Sequence, residues 1–139
     1  MPDNILQNAL MYWNDLPGAE LLKRVFTQPV PIEKISLFSI NIGRDGPTII
    51  IDFDLINKIP DAPPQKWTTS KFNRCRLGIN CGGVKELSIT GWDVENIVDV
   101  SIQHIFAQKH RVCLKNDKFH LEFMCSTLTI SGPSVYLSH

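Results

Sequence analysis

Hydrophobic positions change their period along this chain. Near the N-terminus Ile5, Leu6, Ala9, Leu10 and Trp13 recur at helical spacing behind Asn4, a capping residue type, which predicts a short helix over residues 4–13. A second helical stretch is predicted through Ala19, Glu20, Leu21, Leu22, Lys23, Arg24, Val25 and Phe26, ended by Pro29 and Pro31. From Ile35 the period becomes two. Ile35, Leu37 and Ser39 are placed on one face and Ser36, Phe38, Ile40 and Ile42 on the other, before a turn at Arg44-Asp45-Gly46-Pro47 in which Asp-Gly tolerates positive φ. The partner strand alternates sharply, with Ile49, Ile51, Phe53 and Leu55 on one side and Thr48, Ile50, Asp52 and Asp54 on the other.

Pro60, Pro63 and Pro64 lack backbone donors, so the chain is expected to leave the sheet there, with Trp67 folding back onto the core. Further alternating runs follow: Cys75 to Cys81, Val84 to Ile89, Val98 to Ile102, Val112 and Leu114, Phe119 to Cys125, and Leu128 and Ile130 with Val135 and Leu137. Gly82-Gly83 and Asn116-Asp117 are expected to form tight turns between neighbouring strands. The pattern predicts an α+β protein that is mostly antiparallel β. It has about eight strands in a meander, arranged as a sandwich or open barrel, with one or two N-terminal helices covering it. The helical segment spans about 4–27 and the β region about 35–137.

With 139 residues, 43% of them hydrophobic, the chain is sized for one core, and residues 1–139 are expected to form a single domain. Lys plus Arg equals Asp plus Glu at 14 each, which gives no long-range attraction to nucleic acid or to an anionic membrane. The first residues read neither as a leader nor as a span, so a soluble, cytoplasmic location is expected. Cys75 and Cys81 on one strand would stand roughly 20 Å apart, against about 4.4 to 6.8 Å for bridged Cα atoms. Four free thiols at core-facing positions are therefore expected, in a reducing compartment.

Candidate chemistry is sparse. Asp52 and Asp54 share a strand face about 7 Å apart, a separation compatible with paired-carboxylate hydrolysis, but alternation alone accounts for them as a solvated face. His110 and Cys113, or His120 and Cys125, are separated by odd numbers of residues and point to opposite faces of a strand, so no metal site is expected from either pair. No Gly-x-Ser-x-Gly elbow and no phosphate-binding glycine loop occurs, so no catalytic residue and no cofactor is assigned. Arg74, Arg76 and Lys71, and the Lys109-His110-Arg111 step, read as solvated strand faces and turns. Trp92 with Asp93, Val94, Glu95 and Asn96 forms an acidic turn beside a large aromatic, which suits either a core plug or recognition of a basic partner.

The Arg44-Asp45-Gly46-Pro47 turn between strands, Pro63-Pro64-Gln65-Lys66-Trp67, and Leu87-Ser88-Ile89-Thr90-Gly91-Trp92 leading into Val98 to Ile102 together resemble the immunity protein 50 family of bacterial polymorphic toxin systems. The resemblance covers roughly Ile35 to Phe106. It departs from the family pattern before the first strand, where this chain carries Pro31-Ile32-Glu33-Lys34. Membership implies a small cytoplasmic protein that binds a cognate toxin domain and blocks it by stoichiometric occlusion, without chemistry of its own. On that reading Trp92, Asp93 and Glu95 are the partner-binding candidates. The rival readings are a β module holding a lipid or carbohydrate, and a hydrolase using Asp52 and Asp54.

Overall fold

The computed structural model describes residues 9–139. The strands are β1 (Ile35–Gly43), β2 (Thr48–Leu55), β3 (Arg74–Gly82), β4 (Lys85–Thr90), β5 (Ile97–His104), β6 (His110–Lys115), β7 (His120–Cys125) and β8 (Thr127–Tyr136). They form one antiparallel eight-stranded sheet in the order β4-β7-β6-β5-β1-β2-β3-β8, not closed into a barrel, with β4 and β8 as its edges. Among the described residues helix is confined to α1 (Glu20–Val25) and two short 3-10 turns, Trp13–Asp15 and Gln65–Trp67.

Two sequence-consecutive meanders, β1-β2-β3 and β5-β6-β7, carry the local pattern. The outer strands are exchanged between them: β4 follows β3 but pairs with β7, and β8 follows β7 but pairs with β3. Gly82-Gly83 is therefore not a hairpin turn between neighbours, as expected above. It is a corner at which one long ladder passes from β3–β8 to β4–β7. The Ser126 amide donates to the Gly82 carbonyl at 2.9 Å. A Cβ on Gly83 (φ +62) would displace Ser126 Oγ and crowd Ser126 Cβ at 3.2 Å, so the corner favours glycine. By contrast, Asn116-Asp117 does join neighbours: the Asn116 side-chain oxygen accepts from the Lys118 and Phe119 amides at 2.9 and 2.8 Å.

β1 departs from strict alternation. A bulge at Phe38, between the Leu37↔Phe53 and Ser39↔Asp52 pairs, moves Ile40 and Ile42 onto the side of Ile51 and Ile49. Ile35, Leu37 and Ile40 thus share the core side, which corrects the two-face division read from the sequence, and Phe38 is turned outward with 63% of its surface exposed. On β8 a second bulge falls at Gly132-Pro133, the edge position where a strand accepts proline.

Residues 4–8 of the first expected helix lie outside the described residues. Over 9–12 the chain is extended rather than helical, with Ala9 bridging Gln103 and Tyr12 bridging Pro31, and only at Trp13 does a 3-10 turn begin. The physical reason is the gap between β1 and β5, which pair only at Ile35↔Val98 and Ser36↔Ile97. Beyond that point β5 needs a partner, and Leu10 supplies one by donating its amide to the Ile102 carbonyl at 2.9 Å. Trp13 follows into the core, fully buried against Phe53 with ring centroids 4.8 Å apart.

The second expected helix forms as the shorter α1, and the Pro60–Pro64 loop docks on its C-terminal end through Ala62 N to the Val25 carbonyl at 2.9 Å. Trp67 is partly buried against the core, as expected. Cys75, Cys81 and Cys125 are buried and free, whereas Cys113 is only half-buried and faces outward between core-facing Val112 and Leu114. That corrects the expectation of four core-facing thiols, and the cause is simple alternation. No described helix is long and apolar enough to cross a membrane.

Candidate functional site

The β4 strand ends at Thr90, and Gly91 turns the chain with φ +70 directly over the Lys118 carbonyl, where any Cβ would overlap that oxygen. The next residue, Trp92, leaves the sheet with its ring in a T-shaped contact with Phe119, centroids 5.8 Å apart, and 73% of its surface exposed. Phe119 is buried, so the indole rests on a fixed base while most of its surface meets solvent. The core-plug reading of Trp92 therefore fails: the turn throws the ring outward, and the core behind it is already filled by Phe119.

The 91–96 loop is internally braced. Asp93 Oδ1 accepts from the Val94 amide at 2.6 Å, Glu95 Oε1 accepts from the Ile97 amide at 3.0 Å, and Leu37 N donates to the Asn96 carbonyl at 2.8 Å. The last bond lays the loop along β1, next to the bulged Phe38. Two depressions result. One, about 70 Å³, is lined by Leu37, Phe38, Ile40, Trp92 and Phe119 with polar groups at its margin, well below the ~300 Å³ of a small-molecule pocket. The other is wide, open and polar, about 600 Å³, with Asp93, Glu95, Asp99 and Asp117 facing only Lys34 and Lys118. Lys34 pairs with Asp99 at 2.9 Å and Lys118 stands 3.7 Å from Asp93, so the carboxylates outnumber the cations. Val94, 91% exposed, stands at the polar depression as an uncovered apolar side chain.

Trp92, Asp93 and Glu95, expected from sequence as partner-binding candidates, thus share one short surface loop. Phe38 joins them from β1 and Phe119 from the turn just before β7. Sequence reading missed both, although the phase change from Ile35 and Leu37 to Ile40 and Ile42 marks the bulge that exposes Phe38.

Asp52 and Asp54 do not face each other as a catalytic pair. Asp52 accepts from Ser39 Oγ at 3.1 Å. Asp54, only 8% exposed rather than on a solvated face, is gripped by Arg76 through Nε at 2.8 Å and Nη2 at 3.3 Å, and by the Tyr136 hydroxyl in a short hydrogen bond. Arg76 is itself sandwiched, 3.6 Å from the Phe38 ring centroid and 4.8 Å from that of Tyr136. Its hydrogen bonds to Asp54 hold the guanidinium charge more firmly, while the Tyr136 hydroxyl's own hydrogen bond to Asp54 raises that phenol above its usual value. A carboxylate committed to a bidentate partner and a phenol is a structural group, not a free general base.

A second cluster lies on the outer face of β6 and β7. Cys113 stands opposite Glu122, and His120, two residues before Glu122, projects to the same side. Cys113 Sγ lies 3.5 Å from His120 Nε2, which lies 3.2 Å from Glu122 Oε1. Burial, and then the charge of Glu122, push the Cys113 thiol up, the opposite of an activated nucleophile.

Residues 18–136 match the family model described as Immunity protein 50. No curated protein and no solved structure matches the chain.

Proposed function

The chain belongs to the immunity protein 50 family, and we propose that it binds a cognate toxin domain and neutralises it by stoichiometric occlusion, through the surface centred on Trp92. The observation that carries the reading is an indole braced by a T-shaped contact with buried Phe119 yet 73% exposed, beside a carboxylate-rich depression. Tryptophan held rigid before binding loses little side-chain entropy on association, and such residues supply a large share of interface energy. Asp93 and Glu95 favour a partner whose facing surface is basic, through the rate and register of encounter. An interface of ordinary size takes about 800 Å² from each partner, roughly a tenth of this chain's 8628 Å² surface, which the Trp92 loop, the exposed Phe38 and the β1–β5 margin can supply. The role is non-enzymatic, in the soluble interior of a bacterial cell.

The test pairs growth and affinity. Co-expression with the toxin encoded beside it should restore growth, and the purified pair should elute as a single complex of fixed stoichiometry. Trp92→Ala should weaken binding by about 30-fold or more (~2 kcal/mol), and Asp93→Asn with Glu95→Gln should slow association and flatten its salt dependence. Because Trp92 is largely uncovered, thermal stability should stay within about 0.5 kcal/mol of the parent. Undiminished affinity and protection in the triple variant would remove this surface from the proposal. A toxin that binds no form of the chain would remove the proposal itself.

A further inference from the structure

We propose that Cys113, His120 and Glu122 form a binding site for a divalent cation of the zinc class on the outer face of the β6–β7 hairpin. Their ligand atoms, Cys113 Sγ, His120 Nε2 and a Glu122 carboxylate oxygen, all lie within 4.8 Å of one another. Zinc bonds run about 2.3 Å to sulfur and about 2.0 to 2.2 Å to nitrogen and oxygen, so a tetrahedral site has S···N edges near 3.6 Å and N···O edges near 3.4 Å. The separations here are 3.5 Å and 3.2 Å. The third edge, from sulfur to the carboxylate oxygen, lies within 4.8 Å against about 3.6 Å in a tetrahedral site, so an ion is seated by rotating the Cys113 and Glu122 side chains by up to about an ångström.

The same geometry speaks against covalent catalysis. In a thiol–imidazole–carboxylate relay the thiol meets one ring nitrogen and the acid the other. Here both approach Nε2 of His120, so the three atoms converge on a common point and do not form a chain. Thiolate, imidazole and carboxylate together select zinc over magnesium or calcium, which take oxygen sets. Coordination sends the Cys113 proton to solvent and leaves two negative charges that balance the dication. Arg111 Nε, 3.8 Å from Glu122 Oε2, holds the second carboxylate oxygen aside and leaves Oε1 for the ion. Three protein ligands on an exposed face leave one coordination position open to water.

Cobalt reports the site directly, because thiolate ligation produces a near-ultraviolet charge-transfer band and tetrahedral geometry intensifies the visible bands. The intact reduced chain, freed of metal by chelation, should develop both with one equivalent of Co²⁺ and lose both on adding Zn²⁺. Cys113→Ser should abolish the charge-transfer band; Cys75, Cys81 and Cys125 are buried in the core and cannot substitute. His120→Gln and Glu122→Gln should each weaken Co²⁺ binding by about tenfold or more, with unchanged circular dichroism and melting of the metal-free protein. Absence of the bands at millimolar Co²⁺, or their survival in Cys113→Ser, overturns the proposal. The readout is independent of toxin binding, so its failure leaves the proposed function standing, and the reverse also holds.

Discussion

Arg76 sits at one end of the β2–β3 ladder, stacked against the Phe38 and Tyr136 rings and bonded twice to Asp54. Asp54 is almost fully covered, so removing its cation leaves a buried carboxylate with only a phenol for company. Arg76→Ala is expected to cost about 3 kcal/mol in urea unfolding, and Arg76→Lys nearly as much, since an ammonium neither forks onto the carboxylate nor stacks. Tyr136 adds a dependence on pH. Its hydrogen bond to Asp54 raises the folded-state pKa above the unfolded value of about 10, so the neutral phenol is favoured in the fold. That contribution is complete below about pH 10 and is lost as pH rises through the folded value. Tyr136→Phe should therefore flatten the alkaline limb of the stability profile. An identical limb in the variant would mean that Tyr136 does not carry it.

At the scale of elements, the departures from alternation decide the surface. The Phe38 bulge turns an aromatic outward in β1, the Gly83 corner sends β4 to a distant partner, and Gly91 aims the Trp92 loop. Gly91→Ala meets two obstacles at once, a positive φ and the Lys118 carbonyl, so the β4–β7 end must shift. A loss of about 2 kcal/mol or more is expected, together with weakened toxin binding although no contact residue has changed. Gly46→Ala is the control: its φ is also positive but its Cβ would meet open space, so only the backbone cost of about 1 kcal/mol applies, and binding should be kept. Equal binding by the two variants would separate the turn from the site. The strands and their order in sequence were legible because alternation and turn residues are local signals. The exchange of β4 and β8 was not, since a Gly-Gly step reads the same whether it closes a hairpin or rounds a corner.

For the whole molecule, one continuous cluster of buried side chains runs from Trp13 through Phe53 to Phe123 and Ile130, crossing both four-stranded halves of the sheet. The halves share few direct strand pairs, at Ile35↔Val98 and Ser36↔Ile97, and are tied further by the extended 9–12 segment and the corner at Ser126. A core shared in this way predicts a single cooperative transition, with coincident fluorescence and circular-dichroism curves and a urea slope of about 1–3 kcal/mol/M. Separate transitions would divide the chain into two units. Trp13→Ala, which opens a cavity where the halves meet, should lower stability by about 3–5 kcal/mol and leave that cooperativity intact.

The amino-acid order alone determined the period-two β character, the turns at Gly46 and Asn116, the absence of familiar catalytic motifs and the prominence of the Trp92 loop, because each depends on residues a few positions apart. The tertiary structure alone decided that Trp92 is uncovered, that Phe38 and Phe119 flank it, that Asp54 is sequestered by Arg76 and Tyr136, and that Cys113, His120 and Glu122 converge. These relations are set by cross-strand register and by which strands become neighbours. Register is a property of the assembled sheet: a shift of one residue reverses every face, and no spacing along a single strand encodes it.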